Sequence, residues 1–508
     1  SRIDAEMRAR IGKRLSEALG NQAKSRDPAI RLAVANLIAE MGPSVRALEA
    51  KDNTGFAASL LPVLKELAKD ANLNVRLEAL RAMGNINGSA KEVTQIFAAV
   101  LKEKEAAPGP RRLAAEGLSQ MVRVVMHLPR TKDTGVYVTS AEVFPALADV
   151  VRASTYGFTA ADAQVRNLSL GAFQLATQLL NDAIPENYKV LEQRLFPPPG
   201  RVLSEIEEDR IDKLYAEVQS EVDPLKPMVQ ALRDDITKLT PTLRDPDPDV
   251  RLAAMNSLSQ IANAWQRLRR YVLTIPVLPK SPRHPTGRDR AMMIAGLDPL
   301  EPALKEQLQA VALLLSEPDS RLRRAAATFL LLIDERAVPT IPALTASLTD
   351  SDRAIRWIAA KTLANLPPEQ ITPSVPNLAR LLSDPDLQVR LVAASTLQNM
   401  GPHARAAVDG LGDATLKGDA DGRLAAMRAL VALGTDVAKS AVPKLSEVLG
   451  QADVDAKVTA GAAETLGKIG AAAQSAIPAL GRLISHESPE VRQAASEAIL
   501  AISAPAKK

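Results

Sequence analysis

Cysteine is absent from all 508 residues, which excludes disulfides, thiolate metal ligands and cysteine nucleophiles. That absence tips the compartment slightly toward export from a bacterium, periplasmic rather than cytoplasmic, without deciding it. Histidine is scarce: His127, His284, His403 and His486 are scattered, and His486-Glu487 is the only His-Glu pair. A carboxylate–histidine metal centre needs several such pairs, so neither a metal nor a cofactor is expected. Aromatics make up 3% of the chain against 46% hydrophobic residues, so the core must be aliphatic and rich in alanine. No apolar run approaches the roughly 18–20 residues that span a bilayer, and the chain is expected to be soluble with no transmembrane segment. It begins at Ser1 rather than Met, which leaves room for a leader upstream, although no targeting segment is visible. The formal charge of +4 is too small for this length to name a class of partner.

What the chain has is a repeat. Pro385-Asp386-Leu387-Gln388-Val389-Arg390, followed by Ala393, Leu397 and Gly401, recurs about every 33 residues through the C-terminal half. The arginine slot fixes the phase at Arg323, Arg356, Arg390, Arg423, Thr459 and Arg492, where Thr459 stands in for arginine. Toward the N-terminus Arg31, Arg76, the pair Arg111/Arg112, Arg166 and Arg251 fill it at longer, unequal steps, so insertions are expected there.

The slots at −1, +3 and +7 from the arginine lie on one stripe of a 3.6-residue period. Position +7 is always apolar, from Ile38 and Met83 to Leu466 and Ile499, and +3 is usually alanine, which lets neighbouring helices approach closely. Four residues before the slot stands an N-cap, among them Asp27, Asn72, Asp162, Asp419 and Ser488, whose side-chain oxygens can accept from the first free N–H groups. Eleven residues after it, Gly42, Gly401, Gly434 and Gly470 suit the left-handed residue that ends a helix. A second helix opens on an apolar residue followed by proline, as at Leu61-Pro62, Ile341-Pro342 and Ile477-Pro478, where proline loses no helical hydrogen bond. Two helices in about 33 residues make an αα-hairpin repeat.

On these residues the chain resembles the HEAT-repeat family, in the short form named after phycobilisome lyases, with units like Ser488-Pro489-Glu490-Val491-Arg492-Gln493-Ala494-Ala495. The resemblance is strong from about 318 to 503 and weakens between 180 and 250. It implies an all-α fold, a right-handed α-α superhelix of about ten hairpins, and a habit of binding rather than catalysis. It also implies polar contacts between successive repeats from an acid at the inter-helix turn and a basic residue six positions later. The matching pairs are Asp70/Arg76, Asp245/Arg251, Asp350/Arg356 and Asp384/Arg390, with the line expected to break at Ala160, Lys417 and His486.

The expected organisation is a capping helix at 1–24, repeats with loop insertions at 25–180, a helical insertion with an acidic helix at 181–245, a repeat with a basic Pro-rich loop (274–290) at 246–317, and regular repeats with a capping helix at 318–508. One continuous elongated body is expected. Between Asn263 and Leu297 seven basic residues face Asp289 alone, whereas 203–222 is acidic behind the capping box Ser204-x-x-Glu207. Ten of the fourteen aromatics fall between 130 and 275 and none lies beyond Trp357. Aromatic and arginine side chains anchor interfaces. The candidate partner-binding residues are therefore Tyr137, Tyr188, Trp265, Arg267, Arg270, Lys280, Arg283, Arg288 and Arg290. Phe144 and Phe173 fall on core slots.

A non-catalytic scaffold for partner proteins follows from this pattern. The second reading is nucleic-acid binding through 263–297, as in HEAT-like DNA glycosylases, which calls for a basic groove across several repeats. A bilin lyase or isomerase, suggested only by the shared repeat type, is the third. Gly461-x5-Gly467-Lys468 is no phosphate loop, having one residue too many and no Ser or Thr after the lysine.

Overall fold

A computed structural model describes residues 2–52, 56–86, 90–103, 107–126, 143–184, 223–274, 300–451 and 454–504, with 209 and 213 besides. Among these there is no strand. The chain divides into two compact units, Ser1–Gln307 and Leu308–Lys508.

In the first unit the described α-helices are α1 (Arg2–Gln22), α2 (Pro28–Asp52), α3 (Phe56–Leu67), α4 (Leu73–Asn85), α5 (Ala90–Lys102), α6 (Pro108–Met126), α7 (Val143–Ser154), α8 (Ala163–Ala183), α9 (Lys226–Asp235), α10 (Pro248–Thr274) and α11 (Leu300–Glu306). The even-numbered helices from α2 carry the arginine slot, and each packs on the next of its kind, α2 on α4, α4 on α6, α6 on α8 and α8 on α10. The odd-numbered helices form a second row, with α5 on α7 and α7 on α9.

The second unit repeats this arrangement. Its α-helices of six residues or more are α12 (Leu308–Leu314), α13 (Ser320–Leu332), α14 (Ile341–Ser347), α15 (Arg353–Ala364), α16 (Val375–Arg380), α17 (Leu387–Met400), α18 (Val408–Leu416), α19 (Ala420–Ala432), α20 (Val442–Gly450), α21 (Ala456–Ile469), α22 (Ile477–Leu483) and α23 (Pro489–Ser503). The slot-bearing helices α13, α15, α17, α19, α21 and α23 stack in order. The fold is an all-α repeat solenoid.

The slots account for the packing. Ala326, Ala359, Ala393, Ala426 and Ala462 at +3, and Leu330, Leu363, Leu397, Leu430 and Leu466 at +7, are fully buried. In the first unit Phe173 at +7 meets Phe158 edge-on, with ring centroids 5.6 Å apart. Each N-cap from Asn72 to Asp455 with a described cap accepts a first-turn N–H, for example Asn72 from Asn74 and Val75, whereas Ser488 makes no such bond.

Gly401, Gly434 and Gly470 have φ of 53°, 91° and 69°, the left-handed region where a side chain is costly. Asp334 takes the same place at φ 56°, the one non-glycine residue with positive φ among those described. Gly42 corrects the sequence reading. Helix α2 runs through it and through Pro43, and its lack of a side chain serves a close approach instead. A Cβ there would meet the Asn85 Cβ of α4 at 2.7 Å.

Candidate interaction surface

The polar geometry of the fold is a ladder of arginines at the inter-helix turns. In most rungs Nη1 donates to the carbonyls five and six residues earlier in its own turn, whereas Arg423 donates through Nε to Thr415 O at 2.7 Å. Arg323 reaches Glu317 O and Pro318 O at 2.8 Å each, Arg356 reaches Asp350 O at 2.9 Å, and Arg390 reaches Asp384 O at 2.6 Å. These bonds fix the guanidinium plane and leave its Nε–Nη2 edge facing the next repeat.

A carboxylate of that next repeat closes the fork in the bidentate manner that makes arginine–carboxylate pairs strong. Arg31 bonds Asp70 through Nε at 2.5 Å and Nη2 at 2.9 Å. Arg323 bonds Asp350 at 2.7 and 3.0 Å, and Arg356 bonds Asp384 at 2.7 and 2.9 Å. Arg166 meets Asp245 through Nη2 at 2.8 Å. Each of these aspartates also accepts the backbone N–H two residues on, as Asp384 does from Asp386 at 2.9 Å.

The pairing therefore differs from the expected one. Asp70/Arg76, Asp245/Arg251, Asp350/Arg356 and Asp384/Arg390 meet within one repeat through the backbone carbonyl of the acid. The carboxylate serves the arginine of the preceding repeat, because six residues along a turn and into a helix bring the guanidinium to the carbonyl and past the side chain. Nor does the line break at Ala160 or Lys417. There the N-cap aspartates take over, Asp162 accepting both arms of Arg112 at 2.5 and 3.1 Å and Asp419 accepting Nη2 of Arg390.

The bonds hold Asp70 and Asp162 below the ordinary carboxylate pKa, in each case chiefly through the guanidinium hydrogen bond. Further along, Arg423 is buried, which lowers its pKa, and it bonds Gln451 Oε1 at 2.7 Å where other repeats offer an acid. At Thr459 the guanidinium is missing, and an open groove of about 640 Å³ lies between Gln451, Thr459, His486 and Ser488. His486 Nδ1 accepts the Ser488 N–H at 3.1 Å, taking over the turn bond that aspartate makes elsewhere.

Of the candidate partner-binding residues, Trp265 is 3% exposed and belongs to the core, with Arg269 over its ring. Arg267 donates to Ile184 O at 2.8 Å and so caps the end of α8. Arg270 is exposed, reaching Gln266 at 3.5 Å. Tyr137, Tyr188, Lys280, Arg283, Arg288 and Arg290 lie outside the described residues, as do most of the acidic segment and most of the Pro-rich loop.

Sequence reasoning passed over a different aromatic. Tyr156, at the end of α7, is 38% exposed, with Lys102 Nζ at 4.3 Å and Lys238 Nζ at 6.0 Å from its ring centroid. Lys238 also bonds Asp235 at 2.5 Å. The register held the signal: Lys102 and Tyr156 each stand ten residues before an arginine of the ladder, Arg112 and Arg166. Equivalent positions of successive repeats are neighbours in a stack. Arg152, four residues earlier near the end of α7, is exposed and pairs with Asp149 at 3.5 Å. Among the described residues no cluster of histidine and carboxylate side chains could hold a metal, and no helix is long and apolar enough to cross a membrane.

A family model described as HEAT repeats matches residues 16–119, 307–398, 341–431 and 442–508. A search of curated proteins returns no match. Among solved structures, an engineered protein is 19% identical, with 96% of this chain and 99% of that one covered and a TM-score of 0.43. A designed armadillo repeat protein in complex with a (KR)4 peptide is 16% identical, covering 53% of this chain and 99% of its own, with a TM-score of 0.30.

Proposed function

The chain belongs to the HEAT-repeat family, and from that membership we propose that it is a non-catalytic scaffold that binds partner proteins through its repeat surface and the region between about 105 and 300. The observation that carries this reading is a division of labour among the polar side chains. The buried ones at the turns are bonded from repeat to repeat, as Arg356 is to Asp384. By contrast, the row of odd-numbered helices in the first unit carries Tyr156 with Lys102 and Arg152 open to solvent. An exposed aromatic among cations is the composition of interface anchors, and stacked repeats extend such a surface over a long face.

Affinity capture from the native organism's lysate, with and without nuclease, followed by mass spectrometry, tests the proposal. A small set of proteins retained after nuclease treatment is the expected result. Retention that disappears with nuclease would overturn it in favour of nucleic acid bound by the basic residues of 263–297.

A further inference from the structure

The junction between α21 and α23 has lost both members of its rung. Thr459 stands in the arginine slot, and His486 stands where the following turn elsewhere offers Asp350 or Asp384. What remains is the open groove of about 640 Å³. Every residue that lines it is among those described, with Leu449 and Leu483 at the ends of α20 and α22 as apolar walls and Thr459, His486, Glu487 and Ser488 among the polar ones. It lies where other junctions place a guanidinium, between the turn before one slot-bearing helix and the turn before the next. Arg356 occupies that place between Asp350 O and the Asp384 carboxylate.

Neighbouring rungs hold both sides of the groove. On one side Arg423 Nη2 donates to Gln451 Oε1 at 2.7 Å, and Gln451 Nε2 reaches Leu416 O at 3.4 Å. On the other, Arg492 Nη1 donates to His486 O at 2.7 Å and Glu487 O at 2.8 Å. The groove is therefore formed without the side chain that the repeat pattern calls for. Its charge suits a cation: Glu487 is an exposed carboxylate, and no lysine or arginine is among the lining residues. Val454, also in the lining, stands five residues before the slot, as Pro318 does before Arg323, whose Nη1 it accepts.

We infer that this groove receives the arginine side chain of a partner protein, with the guanidinium against Glu487 and the aliphatic stem along Leu449 and Leu483. A site held in shape before binding loses less freedom than a mobile one, and arginine's planar fork and apolar stem match a groove with a carboxylate and two leucines. The inference rests on the scaffold reading for the partner and on the ladder geometry for the chemistry.

The two are separable by experiment. The full chain has four histidines, so ¹³Cε1-histidine labelling follows His486 directly, its resonance being assigned by its loss in His486→Gln. N-acetyl-arginine amide is titrated at constant ionic strength, with N-acetyl-lysine amide as the control. A saturable shift of His486 is expected with the arginine compound, tighter than with the lysine one, and with His403 unmoved. Thr459→Arg, which puts the repeat's own side chain back, should abolish the response. Glu487→Gln, an exposed change, should weaken it about threefold, the worth of one exposed ion pair; if Thr459→Arg does not fold, an undiminished response in Glu487→Gln overturns the inference. So does the absence of a saturable shift, equal affinity for the two compounds, or a response that survives Thr459→Arg. For captured partners, Glu487→Gln should weaken retention by a similar factor. Unchanged retention would reject the partner role of the groove and leave the scaffold reading standing. If no protein is retained by the unmodified chain, the scaffold reading falls and takes the partner with it, whatever the arginine compound does.

Discussion

At the scale of single residues, the ladder makes a prediction about pH. Asp70 has a folded pKa below its ordinary 3.8, held there first by the Arg31 hydrogen bond and opposed by burial. A carboxylate depressed in the folded state contributes stability that is complete above the unfolded value and is lost as pH falls through the folded one. Thermal unfolding should therefore be insensitive to this group from pH 7 down to about pH 5 and weaken below about pH 4. Arg31→Gln should lower Tm at neutral pH and shrink the acid-side loss, because Asp70 then titrates nearer its ordinary value. An acid-side profile unchanged by that substitution would show that Arg31 does not set the behaviour of Asp70. Single residues also mark the limit of legibility. The arginine slot was plain in the sequence, but its true acid was not, since Asp70 is six residues from Arg76 and thirty-nine from Arg31. Trp265 shows the same limit: its residue type suggested an interface, and only the fold revealed its burial.

Helices were far more legible, because a 3.6-residue period, an N-cap oxygen and a glycine are local signals. Helix α17 illustrates this: Asp386 caps it through Gln388 and Val389, Gly401 ends it at φ 53°, and Ala393 and Leu397 are buried in between. The same signals misled at Met41-Gly42-Pro43, where the tripeptide that stops α17 at Met400 continues inside α2. There the glycine makes room for a close neighbour, Asn85, and no local pattern encodes a neighbour. Leu397→Asp tests the element directly. It buries a charge with no partner between α17 and the adjacent slot-bearing helices, which should cost on the order of 4 kcal/mol. Urea unfolding of the second unit should shift to markedly lower denaturant. An unchanged curve would mean that the +7 position is not the core position of the repeat.

For the whole molecule, repeats of this kind have no long-range core, so cohesion depends on what joins each repeat to its neighbour. Two components do so here: the alanine and leucine stripes between successive slot-bearing helices, and the arginine forks closed by the following repeat. The first was legible from periodicity. The second was visible only as a list of charged residues, because its partners belong to different repeats and shift from turn acid to N-cap acid at Asp162 and Asp419. The candidate surface was legible only as a region. The concentration of aromatics between 130 and 275 pointed to it, and the repeat register, rather than residue type, singles out Tyr156 beside Lys102.

Cohesion between repeats rests above all on arginines that join their own turn to an acid of the next repeat, as Arg31, Arg323 and Arg356 do. A double-mutant cycle on Arg356→Gln and Asp384→Asn, read by urea unfolding, tests it most directly, since both side chains are largely buried and face each other across one junction. The geometry predicts a coupling of roughly 0.5–3 kcal/mol, with each single substitution costing nearly as much as the pair. Strictly additive effects, with no coupling between the two, would contradict it.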